Sequence, residues 1–348
     1  MLVIYLNIAV IPAQVILSAN GTGNTYEDIN AVLAPGQNVV EVQDCAHTDF
    51  GRHIDEIFDT ELNINVFRFI AHTTQDNDRC VNFDRQRTEI KTYNSSPDNL
   101  KAIEGETVEY KWKFKLDINF QPSTSFTHLH QIKSVSGPYA SIPLITLTAR
   151  KATPDRMELR YSPTDSQSTI ETADLSIFKG QWLQVTELIS FGNNGSYSIE
   201  VKSISDNTTI LSYNNENMDT WQDGATIARP KWGIYRSLNN VSNLRDENIL
   251  FNDFSIEEID LLSNFDFEEQ TEEISLIQNP VKDIISFKNL ELNNLESIKI
   301  YNSTGKIIKL INQPSYNKID VSNLEPSLYF ISIINEKQKS KVFKFIIE

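Results

Sequence analysis

From residue 64 onward one pattern recurs: short runs of β-branched and aromatic residues bounded by Gly, Pro, Asn or Asp. NVFRFIAH, TVEYKWKFKLDI, THLHQIKSV, PLITLTAR, RMELRYS, QWLQVTELISF, SYSIEVKSI, TTILSYN and ILFNDFSIEEI all read as strands. In TVEYKWKFKLDI, Val108, Tyr110, Trp112, Phe114 and Leu116 alternate with polar neighbours. A period of two puts them on one face, the mark of a half-buried antiparallel strand. Helical periodicity is scarce. HIDEIFDTEL, residues 53–62, is the best short helix candidate, and residues 20–50 read as irregular. Many short strands without βαβ alternation predict an all-β fold, a β-sandwich or jelly roll.

The pattern breaks after Asp260. LLSNFDFEEQTEEI is acidic and reads as a linker, and six further short strand signals follow to the end of the chain. From Thr271 on, ten lysines face nine acids with no arginine, about +1, so of the chain's formal charge of −16 the preceding part carries about −17. The expected organisation is therefore a leader-like segment at 1–22, a main domain at 23–260, a linker at 261–274 and a small β-sandwich at 275–348. The N-terminal stretch is apolar through about residue 18 and resembles the core of a signal peptide. It is short and broken by Asn7 and Pro12, so no stable membrane span is expected.

With 47 acidic against 31 basic residues, nucleic-acid binding is not expected. Two cysteines, Cys45 and Cys80, suggest one disulfide in an exported protein; two buried thiols are the other reading. No Cys/His spacing of a zinc site occurs, so no metal centre and no required cofactor are expected. Acidic loops such as TTQDNDR leave room for a structural Ca²⁺ without EF-hand spacing. The chain is expected to act as a monomer.

Three strand-like segments carry unusual polar chemistry: DRQRTEIKTY at 84–93, HLHQIKS at 128–134 and RPKWGIYRS at 229–237. By strand parity Arg85, Arg87 and Glu89 share a face, Gln131 and Lys133 lie opposite His128, His130 and Ile132, and Lys231 and Tyr235 lie opposite Trp232, Ile234 and Arg236. Taken singly, each reads as a solvated sheet face. Taken together, they supply what β-elimination from a uronate requires. The C5 proton is weakly acidic, so donors or cations must neutralise the adjacent carboxylate. A base removes that proton and an acid protonates the leaving O4.

These segments, in this order, resemble the jelly-roll (concanavalin-like) polysaccharide lyases. Arg87-Thr88-Glu89-Ile90-Lys91, Gln131-Ile132-Lys133 and Lys231-Trp232-Gly233-Ile234-Tyr235 are similar to three motif strands of the alginate lyases, with Lys133 where those have His. The run from about residue 35 to 258 is more similar to the glucuronan lyase and ulvan lyase families. The resemblance implies a sulfated rhamnose–uronate polymer, ulvan, as substrate, with glucuronan or alginate as alternatives. It implies Tyr235 as catalytic acid and a candidate base, Gln131 and Arg87 as holders of the carboxylate, and His53 or His130 as base or neutraliser. Arg85, His128, Lys133, Lys231 and Arg236 are the expected substrate-binding residues, and His47 and His72 are expected to be structural. The tail strings QNPVKDII, IKIYNSTGKIIK, IDVSNLEPSLYFISI and KVFKFIIE resemble the C-terminal sorting domain of type IX secretion in Bacteroidetes. That implies a secretion machinery as partner and a secreted or cell-surface location.

Two other classes compete. A glycoside hydrolase on a similar sandwich needs paired carboxylates, and Glu258-Ile259-Asp260-Leu261-Leu262-Ser263 lacks the final Glu of the laminarinase-type signature. A non-catalytic carbohydrate-binding domain would need aromatic platforms rather than an Arg/Gln/Tyr set.

Overall fold

The computed structural model describes residues 14–21, 23–259, 274–288, 290, 295–302, 306–312, 314, 317–335 and 340–347. The chain divides into two compact units, Met1–Ile259 and Asp260–Glu348.

The first unit is a sandwich of two antiparallel sheets, the jelly roll expected from the sequence. One sheet runs Thr209–Met218, Gly195–Ser203, Trp182–Ser190, Thr107–Lys115, Glu247–Glu258, Ile64–Ala71 and Ile54–Asp59 in spatial order, and Val15–Leu17 also pairs with Glu247–Glu258. The other runs Ser168–Asp174, Arg156–Tyr161, Ile145–Arg150, Thr127–Val135, Ile227–Ser237, Arg85–Lys91 and Val40–Glu41. Alternation builds the core between them. On Thr107–Lys115 the side chains of Val108, Tyr110, Trp112 and Phe114 are buried, and Glu109, Lys111, Lys113 and Lys115 are half-exposed. Trp112 meets Trp232 of the opposite sheet with ring centroids 6.2 Å apart, and Trp232 meets Phe254 at 5.1 Å.

Two local expectations fail. HIDEIFDTEL has helix-like spacing, but Ile54–Asp59 is a strand, paired residue for residue with Ile64–Phe69. Asp59 accepts hydrogen bonds from the Glu61 and Leu62 amides, and Asn63 turns with φ 58°. The hairpin partner supplies the ladder that local propensity did not favour. The helix lies instead at Thr25–Leu33, inside the stretch read as irregular, and buries Ile29 and Leu33 one turn apart. Of the leader-like segment 1–22, residues 1–13 lie outside the described residues. Val15–Leu17 is a strand of the sandwich, with Leu17 in its core. Residues 260–273, the linker region, also lie outside them.

Cys45 and Cys80 form a disulfide with Cα atoms 6.3 Å apart. It closes a separation of 35 residues, for which the loop-entropy model gives roughly 3–4 kcal/mol. In the second unit, two small sheets share one apolar core that includes Ile285, Phe287, Ile298, Ile300, Ile331, Ile333 and Phe345.

Because each unit has its own core, a chain ending at Ile259 should fold. Its melting transition should match that of the sandwich in the full chain to within about 4 °C, the shift expected for about 1 kcal/mol in a domain of this size. Calorimetry checks this; an insoluble product would show that the units depend on one another.

Candidate active site

The three polar segments become three neighbouring strands. Ile227–Ser237 lies between Arg85–Lys91 and Thr127–Val135. Tyr235 is paired with Arg87 on one side and His128 on the other, Lys231 with Lys91 and Gln131, and Gly233 with Glu89.

A bulge sets which side chains meet. Between the pairs Trp232–His130 and Tyr235–His128, Gly233 and Ile234 stand opposite the single residue Leu129. Gly233 has φ 144°, and a Cβ there would lie 2.1 Å from the Thr88 carbonyl oxygen. Only glycine fits this backbone approach. Opposite it, Leu129 and His130 are both buried in the core, and His128 comes out beside Tyr235, ring centroids 5.9 Å apart. Strict alternation, which placed His128 with His130 and away from Gln131, fails at this point.

Charge on the open face is organised around Glu89, which is 0% exposed. Its carboxylate accepts hydrogen bonds from the Gln131 amide and the Arg87 guanidinium, and Lys231 Nζ lies 2.8 Å away. Arg87 also donates to Asp78 at 2.8 Å. Glu41 pairs with Lys231, and with Lys91 and Arg79 at 2.7 Å each. Burial alone would raise the Glu41 and Glu89 carboxyls; the charges of Lys231 and Arg87 outweigh it and hold both below the usual carboxylate range. Burial pushes the Lys133 ammonium down to about 7, helped by repulsion from Lys231, Arg229 and Arg87. Burial likewise lowers His128 to about 3, which keeps its imidazole neutral.

Above this layer opens a cleft of about 210 Å³ whose lining includes Arg85, Phe126, His128, Gln131, Lys133 and Tyr235. Among the described residues, no Asp or Glu lines it. Arg85 Nη1 donates to the Tyr235 hydroxyl at 3.1 Å, and the Arg87 guanidinium sits 3.6 Å from the Tyr235 ring centroid. His128 Nδ1 is 2.7 Å from Thr148 Oγ1. Lys133 Nζ donates to the Ser141 carbonyl at 2.9 Å.

Of the residues singled out from sequence, Tyr235, Gln131, Arg85, Arg87, Lys133 and His128 converge here. Four others do not. His130 is 0% exposed on the core side, where its Nε2 lies 2.8 Å from Glu187 and its ring 4.3 Å from Trp112. Arg236 is 0% exposed on that side too, donating to Gln86 and to the Arg245 carbonyl. Lys231 is 3% exposed and held by Glu41 and Glu89 beneath the cleft. His53 is fully buried in a separate cluster with His47, His72 and Asp76. Arg87 reaches the cleft as a buried strut bound to Asp78 and Glu89 and stacked under Tyr235. Sequence reasoning missed Glu41 and Asp78 as part of the charge layer. Asp78 lay in the acidic loop TTQDNDR, but nothing local marks Glu41, which arrives from a two-residue edge strand.

Residues 278–348 match the family described as secretion system C-terminal sorting domain. This indicates export, to the cell surface or beyond it. No curated protein matches the chain. Among solved structures, an endo-β-1,4-glucuronan lyase from the fungus Trichoderma reesei is 13% identical, over 62% of this chain and 90% of that one, with a TM-score of 0.43. A mutant of the alginate lyase Aly36B is 10% identical, over 72% and 100%, at 0.46. An alginate lyase from Pseudomonas aeruginosa is 16% identical, over 61% and 90%, at 0.41.

Glu89→Ala should leave Arg87 and Lys231 buried beside a void. Breaking a buried ionic network by removing one partner costs about 3–5 kcal/mol. Urea unfolding measures this, and a loss below about 1 kcal/mol, the range of a surface pair, would show that Glu89 does not organise the charge layer.

Proposed function

We propose that the first unit is a polysaccharide lyase that cleaves a uronate-containing polymer by β-elimination. The observation that carries this reading is the Tyr235 hydroxyl. It sits on a cleft lined by cations and amide, with Arg85 on its oxygen, Arg87 under its ring, and no carboxylate in the lining.

The chemistry follows from that placement. Gln131 donates one amide hydrogen to Glu89, and its nitrogen carries a second. That second hydrogen and the Lys133 ammonium suit the substrate carboxylate, whose charge grows as the C5 proton leaves. Tyr235, acting as the phenolate with the Arg85 guanidinium on its oxygen, takes the C5 proton and becomes the neutral phenol. The C4–O4 bond breaks, C4=C5 forms, and the proton passes from Tyr235 to O4. No water is consumed, and the new double bond is conjugated to the carboxylate. A neutral His128 beside the ring adds no competing charge. A glycoside hydrolase would need two carboxylates across the scissile bond, and the cleft lining offers none.

Ulvan is the first substrate to test, on the resemblance of the long run from about residue 35 to 258 combined with the sorting tail. Glucuronan and alginate follow. The sorting tail fits a substrate met outside the cell and implies a secretion machinery as its partner, and the enzyme is proposed to act as a monomer.

Digestion of these three polymers should yield products that absorb in the ultraviolet; new reducing ends without that absorbance would refute elimination. Tyr235→Phe keeps the ring and removes one oxygen, so turnover should fall about 10²–10⁴-fold with KM changing far less. Near wild-type turnover in that variant would overturn the mechanism. The Lys133 ammonium, held down to about 7, is charged below that pH and neutral above it. KM should therefore rise as pH increases through about 7. Lys133→Arg, cationic throughout, should flatten the rise; an unchanged profile would remove Lys133 from substrate binding.

A further inference from the structure

Three of the chain's five histidines gather at one point away from the cleft group. His47, His53, His72 and Asp76 each present one ligand atom, and these four atoms lie within 4.8 Å of one another. His47 Nδ1 is 3.0 Å from Asp76 Oδ1, His53 Nε2 is 3.1 Å from the same oxygen, and His72 Nδ1 is 3.1 Å from Asp76 Oδ2. The ring centroids stand 4.9–5.6 Å apart. Three ring nitrogens and a carboxylate converging on one point suit a shared cation.

We propose that these four side chains bind one zinc ion as a structural centre. Three imidazole nitrogens and a carboxylate form the donor set of a borderline divalent cation. Calcium takes six to eight oxygens, and this cluster offers nitrogen. Zinc–ligand bonds of about 2.0–2.2 Å in a tetrahedron fit donor atoms already this near. The surroundings orient the donors as a metal site requires. Asp44 Oδ1 lies 2.7 Å from His53 Nδ1, so the far nitrogen of that ring is fixed by a carboxylate, which the Tyr26 hydroxyl in turn holds at 3.0 Å. Gln43 Nε2 donates to Asp76 Oδ2 at 2.8 Å. His53 and Asp76 are fully buried, His47 and His72 are mostly so, and Phe50 packs 4.5–5.3 Å from all three rings. Four protein ligands without a reserved open position make the site structural rather than catalytic.

The ligands come from two loops. His47 follows Cys45 by two residues, Asp76 precedes Cys80 by four, and the disulfide joins the same two loops. Asp78, two residues beyond Asp76, holds Arg87, and the His72 carbonyl accepts from Gln86 at 2.6 Å. An ion here would brace the loop behind the charged strand.

The test uses the full chain, stripped with a chelator and titrated with Zn²⁺, Co²⁺ or Ca²⁺. Expected results are one zinc per chain by elemental analysis, a visible cobalt band of the tetrahedral type, and a zinc-dependent rise in melting temperature of about 5 °C or more. His47→Ala and His72→Ala change partly exposed ligands and should fold. Each should lose at least about 100-fold in zinc affinity, beyond the loss typical of an outer-shell partner. Wild-type protein that takes up neither zinc nor cobalt, or stabilisation by calcium alone, would overturn the proposal. So would undiminished zinc binding in both variants.

Discussion

Glu89 has no contact with water, and the arrangement above it depends on how that charge is satisfied. An isolated carboxylate at this depth would be prohibitively costly, so it must be met by cations and donors. Arg87, Lys231 and Gln131 meet it, each from a different one of the three central strands. The same bonds fix Arg87 under the Tyr235 ring and aim the Gln131 amide. Arg85 and Lys133 remain nearer the surface, free of Glu89. A buried ionic layer thus holds the upper layer of polar groups in register, and the strands are locked to one another by charge as well as by backbone pairing.

The sandwich was legible in the sequence because alternation reports burial directly. Trp112 and Phe114 point inward, and Lys111 and Lys113 outward, as the period of two requires. The adjacency of the three polar segments was legible only through resemblance, since periodicity says nothing about which strands are neighbours. Parity assigned faces correctly for Lys231 and Trp232 and failed at His128, because a bulge costs one residue and leaves little local trace beyond a glycine. It also could not tell who occupies a face. Arg87 and Lys231 lie on the polar side as expected, but two carboxylates from distant segments claim them. The histidine cluster was invisible for the same reason. Its members at 47, 53, 72 and 76 have none of the close, regular spacing by which a metal motif is recognised, and only the hairpin Ile54–Ala71 and the disulfide-linked loops bring them together. That hairpin was itself obscured by the helix-like spacing of Ile54, Ile57 and Phe58.

Net charge gave a misleading impression of the cleft. The chain carries −16 overall, but the cleft lining contains Arg85, Arg87 and Lys133 with no acid among its residues. Glu41, Glu89 and Asp78 lie beneath the lining, paired with Arg87 and Lys231, and other acids sit on outward strand positions such as Glu109 and Glu200 and in loops. A low-dielectric wall lined by one sign of charge focuses potential locally, whatever the total. An acidic exterior would also discourage an anionic polymer from settling anywhere but the groove.

The pairing of Val15–Leu17 with Phe254–Ile256 has a temporal consequence. The first described strand of the sandwich leans on its last, across 241 residues of chain. Such contacts carry the largest loop-closure cost and form late. A ribosome releasing this chain therefore releases an open sheet until nearly the whole unit has emerged, and the sandwich cannot close piecemeal. A unit built this way stays unfinished for most of its synthesis, with its first described strand and its last as the clasp.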